Sequence, residues 1–558
     1  MIMKLRTLFC AALACPLAFA ASPGQNQSTV APSASDIPHL RKQGTATQLI
    51  VDGQPFLMLA GELSNSSATG LDYMQRVWPK LIAHTKLNTV LAGVSWNQIE
   101  PQEGKFDFTV LDGVIQGARS HNMRLVLLWF GTWKNSMSCY VPDWMKRDFA
   151  RFPRAQDSKG ETIELLTPFS DANRDADVRA FTALMRHVKA VDGQQHTVIM
   201  IQVENEVGMH GDSRDYSPLA NQAYAGPVPK ELMDYLQQHR DSLIPEFRLM
   251  WEAAGYKTSG PWEEVFGPGA GTEGIFMAWN YARYLDRVAE AGKAEYPLPM
   301  LANAALYEVV SLPPFQPSGG RPWDLVLDVW RAGAPRIDML SPDIYSLPYF
   351  VAFCTKFAQS GNPLFIPETR YEMDSKMIYA FGRYDALGVS LMGVERAVNP
   401  DEQFISGCEL ITQLAPLITK HQGDGTMSAV LLAADDPPQK VKVGNYTMEV
   451  ARLRPRPSVP PRTGFSAAIF IQVGPDEYFA AGDNVSVTFS PNTPGPAHAG
   501  LGTVEEGTFV DGRWIPSRQL SGDEVGQGGN LSLRAHPVDR IPGDGYVGIQ
   551  RFTLYRYP

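Results

Sequence analysis

The chain has 558 residues, of which 44% are hydrophobic and 10% aromatic, and a formal net charge of −10 at pH 7. This length exceeds one ordinary core, so two domains are expected, one of them a (β/α)8 barrel of about 250–400 residues. The acidic balance argues against nucleic acid as the main partner, because phosphate binding requires clustered cations.

Residues 1–20 read as an export signal. Lys4 and Arg6 begin it, Leu8 to Ala20 is apolar, and Ala18-Phe19-Ala20 fits a small-residue cleavage site. The expected location is periplasmic, with an extracellular protein or an outer-membrane lipoprotein attached through Cys15 as alternatives. Residues 21–37, rich in Ser, Pro, Gln and Gly, predict a disordered leader. No later stretch reaches about eighteen uninterrupted apolar residues, so no membrane span is expected.

Residues 38–421 carry the pattern of a catalytic barrel. Asp52-Gly53 between apolar runs predicts a hairpin over Thr47 to Pro55. Eight strands are then expected: Phe56–Ala60, Asn88–Ser95, Arg124–Phe130, Thr197–Val203, Leu298–Ala302, Ile337–Ser341, Leu364–Pro367 and Val389–Gly393. Helical periodicity falls between them, at Leu71–His84, Phe108–His121, Asp175–Val191, Ala278–Gly292 and Phe350–Gln359, and a last helix is expected over Asp401–His421. This alternation, without a Gly-rich phosphate loop after the first strand, predicts an α/β fold of the TIM-barrel kind rather than a doubly wound sheet. From 422 to 558 short runs rich in Val, Thr, Gly and Pro predict an all-β sandwich. Tyr478, Phe479, Phe509 and Trp514 could form a sugar platform there, but a structural role is preferred. Cys139, Cys354 and Cys408 remain beyond the export signal, at no metal-site spacing. One disulfide or three free thiols both stay open.

Two segments carry chemistry. Thr197 to Val203 is a nearly continuous apolar run, as in a strand buried on both faces, and it ends in Glu204-Asn205-Glu206. Pro363 to Pro367 repeats the pattern and ends in Glu368. At the C-terminal rim of a barrel such carboxyls face the working cavity. Two carboxyls from different strands are what glycosidic cleavage needs, one protonated to assist the leaving oxygen and one ionised to attack or to activate water. The competing readings are an N-capping cluster at Glu204–Glu206 and an ion pair between Glu368 and Arg370.

Gln202-Val203-Glu204-Asn205-Glu206 resembles the Q-V-E-N-E signature of glycoside hydrolase family 35. Leu87-Asn88-Thr89-Val90, Trp96-Asn97 and Glu100-Pro101-Gln102-Glu103-Gly104-Lys105-Phe106-Asp107-Phe108 resemble its second-strand motif. The resemblance covers about Thr47 to Arg396. It implies a secreted retaining exo-β-galactosidase that acts on galactoside oligo- or polysaccharides without cofactor or metal. By the same resemblance Glu206 is the acid/base and Glu368 the nucleophile, Asn205 bonds the hydroxyl beside the anomeric carbon, and Tyr345 orients the nucleophile. Glu204 follows as a substrate contact or a structural partner, sharing one side of an extended strand with Glu206. Trp96, Asn97, Trp133 and Asn135 are rim candidates for sugar binding, with Trp129 and Glu395 behind them. The chain departs from the family where Gly61-Glu62-Leu63-Ser64-Asn65 replaces G-x-x-H-Y, where Gly131-Thr132-Trp133-Lys134-Asn135 replaces A-E-W, and where Val207 replaces Tyr. These departures leave open an arabinopyranosidase or endo-glycanase of the same clan, or an inactive carbohydrate-binding protein. Subunit number is not read from the sequence.

Overall fold

Asp52 and Gly53 turn the chain with φ of 50° and 77°, the left-handed pair that a two-residue hairpin demands. The turn joins β2 (Ala46–Val51) to β3 (Gln54–Pro55), and β1 (His39–Gln43) pairs antiparallel with β2 on its other side. This computed structural model describes residues 37–306, 319–370, 372–396, 402–453, 464–510, 512–533 and 548–558. The export signal and the leader up to residue 36 lie outside the described residues.

Eight parallel strands then close into a barrel: β4 (Met58–Glu62), β5 (Thr89–Ser95), β6 (Arg124–Lys134), β9 (Val198–Asn205), β10 (Met300–Leu306), β11 (Met339–Ile344), β12 (Phe365–Thr369) and β13 (Gly388–Met392), with β13 pairing back onto β4. A short hairpin, β7 (Arg154–Gln156) with β8 (Thr162–Leu166), lies in the loop after β6. All eight expected strands are present, with ends shifted by a few residues. Leu91, Leu128, Ile199, Leu301, Met339 and Phe365 fill the barrel, and Leu49 and Val51 of the hairpin join the same apolar cluster. The interior is therefore a packed core, and the polar groups are left at the rim.

The predicted helices appear at Leu71–His84, Thr109–Ser120, Asp171–Asp192, Ala270–Glu295, Phe350–Phe357 and Glu402–His421, joined by Met373–Tyr384 and the shorter Leu327–Gly333. Between β9 and β10 the sequence pattern missed Pro218–Tyr224, Lys230–Gln238, Pro245–Ala253 and Trp262–Phe266. They run from five to nine residues, too few for periodicity to register; two begin with Pro at the first turn, and Ser217 caps one of them.

The C-terminal region forms two antiparallel sheets from β14 (Met427–Leu432), β15 (Gln439–Val443), β16 (Tyr446–Arg452), β17 (Ser466–Gly474), β18 (Glu477–Asp483), β19 (Val485–Pro491), β20 (His498–Val510), β21 (Arg513–Gln519), β22 (Leu531–Leu533) and β23 (Ile549–Tyr557). One sheet runs β14-β17-β18-β23-β20-β21 and the other β15-β16-β19-β22. Strand alternation splits the larger sheet. Val430, Leu432, Ala468 and Phe470 face the smaller sheet, while Ala429, Leu431, Ala467 and Ile469 join the barrel's outer core. Contact with the barrel helix Met373–Tyr384 is close: a Cβ on Gly382 would lie 2.7 Å from Ala429 Cβ. Tyr478 is buried between the two sheets, and Phe479, Phe509 and Trp514 pack their rings together, with centroids 5.0–5.3 Å apart, against the barrel side. Tyr478 and Phe479 are core, and Phe509 and Trp514 are half-buried against it. Cys139 is exposed, Cys354 and Cys408 are buried, and all three are free thiols. No helix among the described residues is long and apolar enough to cross a membrane.

Candidate active site

The chain leaves β9 through a distorted turn. Glu204 and Glu206 adopt φ of 60° and 47°, so the extended geometry that would put both on one side of the strand is broken. Residues 206–217 continue as loop rather than as a helix, which removes the capping alternative. Opposite, β6 and β9 lose register between Trp129 and Lys134, and the irregularity sets Lys134 against Asn205. Lys134 Nζ donates to Asn205 Oδ1 at 2.9 Å.

Glu206 and Glu368, both buried, meet at the C-terminal end of the barrel. One oxygen each from Glu206, Glu368 and Asp343 lie within 4.8 Å of one another. Asn135 donates its side-chain amide to Glu206, whose backbone N–H bonds Asn303 Oδ1 at 2.9 Å. The Tyr345 hydroxyl donates to Glu368 Oε2, and Asn205 Nδ2 donates to its Oε1 at 3.5 Å. Asn205, Glu206, Tyr345, Glu368 and Asn135 thus come together from β6, β9, β11 and β12.

Burial governs the electrostatics. It pushes the Glu206 carboxyl up to about 7, helped by the negative charge of Glu368 and opposed by Lys134. Asp343, fully buried, is raised well above the carboxylate range by burial and then by Glu368 and Glu206. Its Oδ2 accepts from Asn303 Nδ2 at 2.7 Å, and its Oδ1 is buried near Glu206 without a partner among the described residues. Glu62, at the end of β4, is raised in the same way by burial and by Glu368. Burial and the charge of Glu368 also keep the Tyr345 phenol protonated. So many carboxyls cannot all ionise in one cavity, and the protons settle on those with the fewest donors. The spacing of Glu206, Asp343 and Glu368 could accommodate a cation. Their near surroundings, however, are the donors Asn135, Asn205, Asn303 and Tyr345.

Four sequence candidates lie elsewhere. Glu204 is turned into the barrel wall, where its carboxyl accepts from the backbone N–H of Thr132 at 3.1 Å and of Trp133 at 2.6 Å. Gly131 makes room for it, since a Cβ there would lie 2.5 Å from Glu204 Oε1. Trp96 is fully buried, with its indole N–H on Glu100 at 2.8 Å and its ring beside Trp129. Trp133 is equally buried between Tyr281 and Tyr284, and donates to the Leu166 carbonyl at 3.0 Å. Asn97 is exposed, and no contact among the described residues ties it to the carboxyl pair. Sequence reasoning reserved rim positions for tryptophans that the outer core needed. It passed over Glu62, Lys134, Asn303 and Asp343 as site residues. Met58 to Glu62 carries the same signal as the two segments that were found, an apolar strand ending in a carboxylate.

Comparison with known proteins finds likenesses to parts of the chain. A family model for glycoside hydrolase 42, described as beta-galactosidase, matches residues 76–282, and one described as a domain of unknown function (DUF5597) matches residues 407–532. The first match holds β5, β6 and β9 with Asn205 and Glu206, and stops before Glu368. A beta-galactosidase of Xanthomonas manihotis is 26% identical over 186 residues, 30% of this chain and 27% of that protein. Beta-galactosidase 11 of Arabidopsis thaliana is 38% identical over 66 residues, 11% of this chain and 7% of its own. The chain therefore spans about a quarter or less of the length of these curated relatives. Among solved structures, the beta-galactosidase of the psychrophilic Marinomonas ef1 aligns with a TM-score of 0.42 at 13% identity, over 64% of this chain and 60% of that one. Over residues 76–282, then, the chain is similar to the beta-galactosidase kind of glycoside hydrolase.

Proposed function

We propose that the protein is a retaining exo-β-galactosidase, exported by its first twenty residues to the periplasm, where it removes terminal β-galactosyl groups from oligo- or polysaccharides. The observation that carries this reading is the approach of Glu206 and Glu368, with one oxygen of each within 4.8 Å of the other. Retaining glycosidases hold their two carboxyl groups about 5–5.5 Å apart, whereas inverting ones need about 6.5–9.5 Å to admit a water. The motifs of family 35 and the model match to family 42 both support a β-galactoside as substrate; the family 35 assignment is the finer proposal.

In the first step a Glu368 oxygen attacks C1 from one face while Glu206 gives its proton to the glycosidic oxygen, and the alcohol leaves. Glu206, now a carboxylate, takes a proton from water, whose oxygen attacks C1 and releases Glu368. A group titrating near 7 can be acid in one step and base in the next. Asn205, anchored by Lys134, sits beside Glu368 where it can meet the hydroxyl on C2.

The test is hydrolysis of 4-nitrophenyl β-galactopyranoside by the wild type and by Glu368→Ala. The variant should lose turnover and regain it with azide as an α-galactosyl azide. Turnover by the wild type with inversion at C1, or none on any pyranoside of a panel that includes β-glucosides and α-arabinopyranosides, would overturn the reading.

A further inference from the structure

Bond cleavage uses Glu206 and Glu368 and leaves Glu62 without a task. Glu62 ends β4, between β13 and β5, across the cavity from β9 and β10. It is 1% exposed, and neither of its carboxyl oxygens has a hydrogen-bond partner among the described residues. Paired with Met392 of β13 and Leu91 of β5 at the same end of the barrel, it lies within electrostatic reach of Glu368, Lys134, Glu206 and Glu395. Burying a polar group without a partner forfeits its hydrogen bonds to water for nothing in return, so such a group calls for a partner from outside the chain.

Glu395 repeats the pattern on the same side. Its Oε1 is held by the Ser64 N–H at 2.9 Å and the Ser67 hydroxyl at 2.7 Å, while its Oε2 is buried without a partner among the described residues. A carboxyl raised by burial, as Glu62 is, both donates and accepts, and asks for groups that do the same, as hydroxyls do. An apolar ligand would leave the buried oxygens unpaired, and the nearby Lys134 charge disfavours a cation. The two oxygens of a carboxyl group also match the spacing of neighbouring hydroxyls on a sugar ring.

We propose that Glu62, with Glu395 beside it, hydrogen-bonds the hydroxyls on C3 and C4 of the galactosyl unit, at the end of the ring remote from the cleaved bond. The inference rests on the glycosidase reading and deepens it. With C1 held between β9 and β12 and C2 beside Asn205, the far side of the ring turns toward β4 and β13. A substituent on O3 or O4 would remove the hydroxyl that these carboxyls bond, so the site takes chain ends that are unsubstituted there. The position is specific to this chain's replacement of G-x-x-H-Y by Gly61-Glu62-Leu63-Ser64-Asn65.

The experiment compares wild type, Glu62→Ala and Glu62→Gln on 4-nitrophenyl β-galactopyranoside and on its 3-deoxy and 4-deoxy analogues. Calorimetric binding of galactose, 3-deoxygalactose and 4-deoxygalactose serves as a readout independent of turnover, and thermal midpoints verify folding. Glu62→Ala should lower kcat/KM on the parent about 10- to 100-fold, and by much less on the analogue that already lacks the bonded hydroxyl. Equal losses on all three substrates would overturn the inference while leaving the glycosidase reading intact. If the wild type hydrolyses nothing, that reading falls and binding decides alone. Weaker galactose binding by Glu62→Ala, with an unchanged affinity for one deoxy sugar, supports the role of Glu62. Unchanged galactose binding, or none by the wild type, overturns it. If Glu62→Ala does not fold, Glu62→Gln carries the same comparison with a smaller expected loss.

Discussion

The phenol of Tyr345, carried just past β11, donates its hydrogen to Glu368 on the neighbouring strand β12. One oxygen of Glu368 is thereby tied in place, and in the proposed mechanism the other, approached by Asn205 Nδ2 at 3.5 Å, is the one that attacks C1. Because burial keeps the phenol protonated, the donor is permanent over the working pH range. Tyr345→Phe should lower kcat/KM about 10- to 100-fold, the cost of losing one hydrogen bond to a charged group, with the fold intact. Steady-state kinetics with a thermal melt checks it, and an unchanged kcat/KM would remove Tyr345 from the mechanism.

Glu206 supplies a pH prediction. The first step needs its protonated form, and burial places its titration at about 7. Above that pH kcat/KM should fall about tenfold per unit, since the protonated fraction does. Glu206→Gln should flatten this limb on substrates whose leaving group needs no proton. A limb that survives the substitution would assign the titration to another group.

Asn135 tunes that limb. Its amide donates to Glu206 and favours the ionised form, so Asn135→Ala should move the alkaline limb to higher pH while reducing kcat. A pH–rate profile of the variant reads both effects. A limb moved to lower pH would contradict the contact.

Glu204 belongs to stability rather than to substrate. Its carboxyl is fully buried and satisfies two backbone N–H groups, and burial followed by the charge of Asp177 raises it well above the carboxylate range. A carboxyl raised in the folded state holds its proton where the unfolded chain has released it. Its stabilising contribution is therefore complete below the ordinary carboxylate range and is lost as pH rises toward the folded value. Glu204→Ala should destabilise the protein by about 1–3 kcal/mol in urea unfolding at neutral pH and weaken the alkaline loss. A raised KM with unchanged stability would instead return Glu204 to the substrate.

The docking of the two domains can be tested at Gly382. Val at this position would drive side-chain atoms into Ala429 and into Ile469, whose Cγ1 lies 2.8 Å from the site of a Cβ. Gly382→Val should cost about 1–3 kcal/mol through overpacking. An unshifted thermal midpoint would mean that the sandwich yields at this contact.

The barrel was legible in the sequence because parallel strands buried on both faces read as apolar runs, and eight such runs separated by helical periods admit few folds. The same contrast exposed Glu206 and Glu368, since a carboxylate ending an apolar strand has no place in the core. Periodicity says nothing, however, about where a strand stops being extended. The left-handed turn at Glu204 and the register shift at Lys134 decided which of two nearby carboxyls faces the cavity. Whether a tryptophan lies at the rim or under it depends on neighbours from other helices, such as Tyr281 and Tyr284 around Trp133. Local pattern thus determined the architecture and pointed to the two carboxyls that come together, because burial leaves its mark along the chain. Only closure of the barrel decided what surrounds them, bringing Glu62, Asn303 and Asp343 from three separate strands to one cavity, a convergence that no sequence interval records.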